Sequence, residues 1–127
     1  MTLFDTDVII WMTRGNKAAS AAIDETESRA ISAVSYMEFL RGARNAHEVR
    51  AFRSNLMALD FRILPVTESI TEKAVAIMDE FALSVRLDPD DALVFATALD
   101  LDIELCSGNE KHFRDIEGIR AKVFRPA

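Results

Sequence analysis

The 127 residues, half of them hydrophobic, are enough for one core and exclude a disordered chain; residues 1–127 are read as one domain. A net charge of −6 argues against a polyanion partner, since phosphate backbones attract basic surfaces, unless bound cations correct the charge locally. The single cysteine, Cys106, excludes an internal disulfide and a cysteine-based zinc site; with no signal-peptide pattern and no apolar run of bilayer length, a reducing cytoplasm and no membrane are expected.

Leu3 and Phe4 end a short strand that enters the acidic turn Asp5-Thr6-Asp7. Residues 8–12 look helical and stop near Gly15, and residues 16–27 form an alanine-rich helix. A second strand is expected over 30–33, then helices over 35–43 and 45–59, the latter with Val49, Phe52, Leu56 and Leu59 on one face. Residues 61–64 form a third strand closed by Pro65. Thr67 caps the next helix, whose buried stripe is Ile70, Ala74, Ile77, Met78 and Phe81. Asp88-Pro89 pairs an N-cap with proline at the first helical position, opening a helix to about residue 100. Residues 103–106 read as a fourth strand and 121–124 as a fifth. Strands alternating with helices imply an α/β fold on a mainly parallel sheet.

In such a sheet, ligands sit beyond the carboxyl ends of the strands. Asp5 and Asp7 follow the first strand, and Glu38 lies one turn into the helix after the second. Asp90 and Asp91 open the helix before the fourth strand, and Ser107-Gly108-Asn109 follows it. Each residue also has a structural account. Asp5-Thr6-Asp7 can cap the helix beginning near Val8, Ser35-x-x-Glu38 spells a capping box, Asp91 suits a helix dipole, and Asn109 can cap residues 110–115. Capping explains one acid per helix, but not why the acids gather at one crevice. Hard divalent cations take carboxylate oxygens and water, and a phosphodiester cut by metal-activated water needs such a clamp. Carboxylates crowded in this way predict at least one raised pKa. His47 lies far from the acids and His112 near the mouth of the crevice, and no Ser–His–Asp signature is present. No basic stripe stands out: Arg41, Arg44, Lys111, Arg114 and Lys17 are candidates to rim the site, but charged residues on solvated faces are the ordinary case. Val8, Ile9, Ile10, Trp11 and Met12 cover more than a full helical turn with apolar side chains; the side away from the sheet needs a cover, either a partner or a loop.

Four segments resemble the PIN-domain family, and within it the VapC-like toxins of type II toxin–antitoxin pairs. They are the opening Leu3-Phe4-Asp5-Thr6-Asp7-Val8-Ile9-Ile10; residues 31–43, with Glu38 and Leu40-Arg41-Gly42-Ala43; Asp91-Ala92-Leu93-Val94-Phe95-Ala96-Thr97-Ala98; and Leu105-Cys106-Ser107-Gly108-Asn109-Glu110-Lys111-His112-Phe113. The resemblance implies a three-layer α/β/α sandwich around a five-stranded sheet. It implies Mg²⁺- or Mn²⁺-dependent cleavage of RNA, a homodimer, and a small antitoxin that plugs the acidic pocket. It makes Asp5, Glu38 and Asp91 the metal-binding carboxylates, puts Asn109 at the fourth catalytic position, and gives Thr6 and Ser107 supporting hydroxyls. Two departures stand out. Asp7 replaces the family's usual Asn, and Asn109 leaves the fourth acidic position uncharged, with Asp90 as an extra acid nearby. An RNA-processing nuclease without an antitoxin and a non-catalytic RNA- or partner-binding module are the alternatives within the family. Asp-x-Asp also opens haloacid-dehalogenase-like phosphatases, but those usually carry glycine after the second Asp and need a lysine in the crevice. Here Val8 follows Asp7, and Lys73 lies mid-helix.

Overall fold

Alternation of side chains along the strands decides the layering. In the computed structural model, which describes residues 1–126, five strands form one sheet: β1 (Thr2–Phe4), β2 (Arg29–Ser32), β3 (Arg62–Leu64), β4 (Glu104–Ser107) and β5 (Ala121–Val123). Their order is β3-β2-β1-β4-β5, and every pairing is parallel, with Leu3 opposite both Ala30 and Leu105, and Phe4 opposite Cys106. Successive residues point to opposite faces. Leu3, Ala30, Leu64 and Leu105 join one core cluster, whereas Phe4, Ile31 and Cys106 join the other.

Among the described residues, seven helices complete the layers: α1 (Thr6–Thr13), α2 (Lys17–Asp24), α3 (Ala33–Gly42), α4 (Ala46–Ala58), α5 (Glu68–Phe81), α6 (Pro89–Leu101) and α7 (Glu110–Phe113). The stripe Ile70, Ala74 and Ile77 of α5 packs with Val94, Phe95 and Ala98 of α6 on the first face. Val8 and Ile9 of α1, Ala19 and Ile23 of α2, and Phe52 and Leu56 of α4 fill the second. This is the expected α/β/α arrangement, with a sheet that is wholly parallel. None of the described helices is long and apolar enough to cross a membrane.

Local chemistry explains the boundaries, and it moves two of them. Asn16, Asn45 and Thr67 each accept a hydrogen bond from a backbone N–H of the first helical turn. Helix α1 begins at Thr6 rather than near Val8, because Asp5 itself is the N-cap. Strand β2 ends at Ser32, whose Oγ accepts from the Val34 N–H at 3.1 Å, so α3 starts at Ala33. The capping box anticipated from Ser35 and Glu38 therefore does not form. Ser35 lies inside the helix, with its hydroxyl buried and unpartnered. Asp88 occupies the cap position of α6 without a side-chain cap bond, and Pro89 sits at the first position as expected. In the apolar run of α1, Val8 and Ile9 are buried, while Trp11 remains 38% exposed.

The two serines of this junction should respond in opposite ways. Ser32→Ala removes the cap of α3 and should cost about 1 kcal/mol. Ser35→Ala deletes a buried hydroxyl without a partner and should be neutral or slightly stabilising. Urea denaturation of the two variants checks this. Equal losses would restore the Ser35 cap.

Candidate active site

The strand order reverses between β1 and β4, because the chain leaves β1 toward β2 and β3 and later returns to β1's other side. Such a switch point opens a crevice at the carboxyl ends of the strands. The Asp5 N–H donates to the Cys106 carbonyl at 3.0 Å, so the end of β1 meets the end of β4. A pocket of about 320 Å³ opens there, lined by Asp5, Thr6, Asp7, Glu38, Asp91, Gly108 and Asn109. The anticipated carboxylates Asp5, Glu38 and Asp91 thus meet in one concavity, delivered by β1–α1, α3 and α6.

Asp5 is the most confined. One carboxylate oxygen accepts from the Thr6 N–H at 2.9 Å and the other from the Ser107 hydroxyl at 2.8 Å. Ser107 Oγ in turn accepts from the Asn109 N–H at 3.0 Å. Burial raises the Asp5 pKa, the two hydrogen bonds oppose that shift, and the Asp91 charge adds to it. Thr6 contributes its backbone here; its own hydroxyl is buried without a partner.

Asp7 is a brace. Its carboxylate accepts from the Val8 N–H at 2.9 Å and the Gly108 N–H at 3.1 Å, tying α1 to the turn after β4. Glycine is required at 108 by close approach: a Cβ there would lie 2.8 Å from Asp7 Oδ2 and 3.2 Å from the Phe124 carbonyl. Desolvation, then the Asp5 charge, raises the Asp7 pKa.

Glu38 extends from α3, freed from any capping duty. Its pKa is raised to about 7, first by desolvation and then by the charges of Asp90, Asp91 and Asp5. Asp90 is exposed and acts on Glu38 without lining the pocket. Asp91 is raised chiefly by desolvation, opposed by His112 and by a hydrogen bond from the Asn109 side chain. His112 Nδ1 lies 3.7 Å from Asp91 Oδ2. Asn109 makes no side-chain cap bond to α7.

The expectation of a raised carboxylate is met four times over, in Asp5, Asp7, Glu38 and Asp91. The side chains nevertheless stand apart: among the described residues no three acidic, histidine or cysteine groups are drawn together closely enough to hold a metal ion. Their chemistry suits one all the same, because hard oxygen donors with uncompensated repulsion are what a divalent cation pairs with. None of the candidate rim cations Lys17, Arg41, Arg44, Lys111 and Arg114 lines the acidic pocket, and Arg44 lines the neighbouring groove. The role of His112 beside Asp91 was not legible in sequence, although its place one turn past Asn109 was a usable signal.

Because Glu38 has a raised pKa, its ionisation weakens the cation-free fold. That stability is fully present below about pH 4.5 and is lost as pH rises toward about 7. Melting curves in chelator should show this decline, and Glu38→Gln should flatten it and add roughly 1 kcal/mol at neutral pH once solvent screening is allowed for. An unchanged pH profile in the variant would show that Glu38 does not share in the repulsion.

The sequence matches the PIN domain family over residues 2–119. A search of curated proteins finds no match. Among solved structures, the chain is similar to a toxin–antitoxin complex from Klebsiella pneumoniae, at 32% identity over 100% of this chain and 98% of that one, with a TM-score of 0.78. It shares its fold with VapBC2 from Rickettsia felis bound to a promoter DNA fragment (13% identity, 98% of each chain, TM-score 0.82). It also shares it with FitAcB from Neisseria gonorrhoeae (23% identity, 99% and 98%, TM-score 0.77).

Proposed function

The chain belongs to the PIN domain family, and on that premise we propose that it is a metal-dependent endoribonuclease, the toxin of a cytoplasmic type II toxin–antitoxin pair, acting as a homodimer of single nuclease domains. PIN domains are nucleases that generally use divalent metal ions. The observation that carries the reading is the convergence of Asp5, Glu38 and Asp91, from three separate elements, on one pocket. The 32% identical chain of the Klebsiella pneumoniae toxin–antitoxin complex supports the partner.

Asp5, Glu38 and Asp91 would hold Mg²⁺ or Mn²⁺, with Asn109 as the uncharged fourth member. When bound, the cation supplies Lewis-acid activation of water and offsets the charge of the phosphodiester. The chain's own work is positioning. Ser107 and the Thr6 N–H fix the Asp5 carboxylate by one hydrogen bond to each oxygen, leaving the remaining lone pairs for the pocket. His112 and Asn109 flank Asp91. Asp7 holds the Gly108 turn that presents Asn109, and Asp90 sharpens the repulsion on Glu38 that a cation would relieve. The −6 net charge is then compatible with an RNA substrate, since the cations supply the local attraction.

Purified, antitoxin-free protein should cut single-stranded RNA with Mg²⁺ or Mn²⁺ and stop in excess chelator. Asp5→Asn and Asp91→Asn should each lower the rate about 100-fold or more while leaving a folded protein, since each removes a charged ligand and keeps the side-chain shape. A gel assay on labelled RNA measures both, and undiminished cutting in chelator would remove the metal from the mechanism.

Co-expression with the small gene adjoining this one should yield a stable complex in which cleavage is inhibited. A basic side chain from the partner is expected in the acidic pocket, where it replaces the cation's charge. If no neighbouring product relieves growth inhibition, an RNA-processing nuclease without an antitoxin becomes the better reading.

A further inference from the structure

Next to the acidic pocket lies the larger concavity of the molecule's α1, α3 and α4 face, about 740 Å³. The two share the lining residues Thr6 and Glu38, so the groove abuts the acidic pocket. Its character changes along its length. At the sheet end it is acidic. Farther out, Arg14 stands at the end of α1, with Arg44 and His47 at the start of α4. Between them the floor is apolar: Ile10, Phe39 and the buried Phe52, the two rings stacked at 3.7 Å.

The charges along this stretch are unevenly committed. Arg14 is exposed and makes no ion pair among the described residues. Apart from Glu38, the acid lining this concavity is Glu48, whose carboxylate holds Arg44 at 2.6 Å. That ion pair is open to solvent and therefore weak, so a phosphate can compete for the guanidinium. A guanidinium fork matches phosphate geometry, and an apolar floor beside it accepts a base. The groove runs between helices and offers no strand edge for a peptide backbone to pair with.

We propose, resting on the nuclease reading above, that the α1–α3–α4 groove is a nucleotide subsite: the RNA strand flanking the scissile phosphate lies in it, with Arg14 and Arg44 on its phosphates and a base over Ile10 and Phe39. Arg14 and Arg44 are binding residues, and Glu48 is a competitor that tempers them. The same groove then contributes to the choice of cleavage site, because a base seated there precedes or follows the cut at a fixed spacing.

The test is fluorescence anisotropy of a labelled single-stranded RNA with the full chain in Mg²⁺, in an Asp91→Asn background that prevents cutting, over a range of salt. Arg14→Gln and Arg44→Gln should each weaken binding about 3- to 10-fold, and each should lower the slope of log affinity against log salt by about 0.7, the value for one lost phosphate contact on a single strand. Glu48→Gln should do the reverse, tightening binding about 3-fold by releasing Arg44. Unchanged affinity and slope in both arginine variants, or no RNA binding by the parent, overturns the subsite. If those variants instead lose the inhibitory partner protein while RNA binding is unaffected, the groove seats a protein segment and the proposal is wrong. Cleavage by the chain without the Asp91 substitution is measured alongside. Arginine-dependent binding without any cleavage supports the subsite and removes the nuclease reading, so the two fail separately.

Discussion

The hydrogen bond from the Ser107 hydroxyl to the Asp5 carboxylate joins the ends of two neighbouring parallel strands, and much of the site depends on it. It anchors an acid that is only 9% exposed, at the point where the sheet's order reverses. A buried carboxylate without such partners would be costly. The same serine receives the Asn109 N–H, so one hydroxyl sets both the acid of β1 and the turn after β4. Asp7 repeats the connection through Gly108 on the other side of the turn. The crevice is therefore held open by short polar ties between α1 and the β4–α7 turn, over two apolar layers that give the sheet its rigidity.

That arrangement stores electrostatic repulsion. Asp5, Asp7, Glu38 and Asp91 all have raised pKa values, with desolvation the largest cause in every case and neighbouring acids adding to it. Raised carboxylates gathered in a cleft are a pattern that functional sites commonly show. The members differ in how firmly they are held. Asp5 is locked by two hydrogen bonds, whereas Glu38 is exposed and free of capping duty. His112 Nδ1 faces Asp91 across 3.7 Å.

The acidic pocket also does not stand alone. It adjoins a groove in which Arg44 is held by Glu48 and Arg14 makes no ion pair among the described residues, so that a chain with an overall negative charge still presents an uncommitted guanidinium in the neighbouring groove. Strand ends and helix starts collect acids at the sheet edge, while Arg14 caps the end of α1 and Arg44 lies just before the N-cap of α4.

By itself the sequence determined the alternation of strands and helices, because apolar periodicity and caps are local. Leu3-Phe4, the stripe from Ile70 to Ile77 and Asp88-Pro89 each carry their own signal, and the parallel sheet follows from them. It also determined that Asp5, Glu38 and Asp91 would meet, since residues at strand ends of a parallel sheet have one edge to share. Only the tertiary structure decided which local signal prevailed where two were available. Ser32, the last residue of β2, caps α3 in place of Ser35, and that frees Glu38. Strand order, the Asp7–Gly108 brace, the meeting of His112 with Asp91 and the placement of Arg44 in a separate groove join residues far apart in the chain or depend on how helices pack. Local pattern is silent on such pairings, because they are set by which surfaces are left to be buried together.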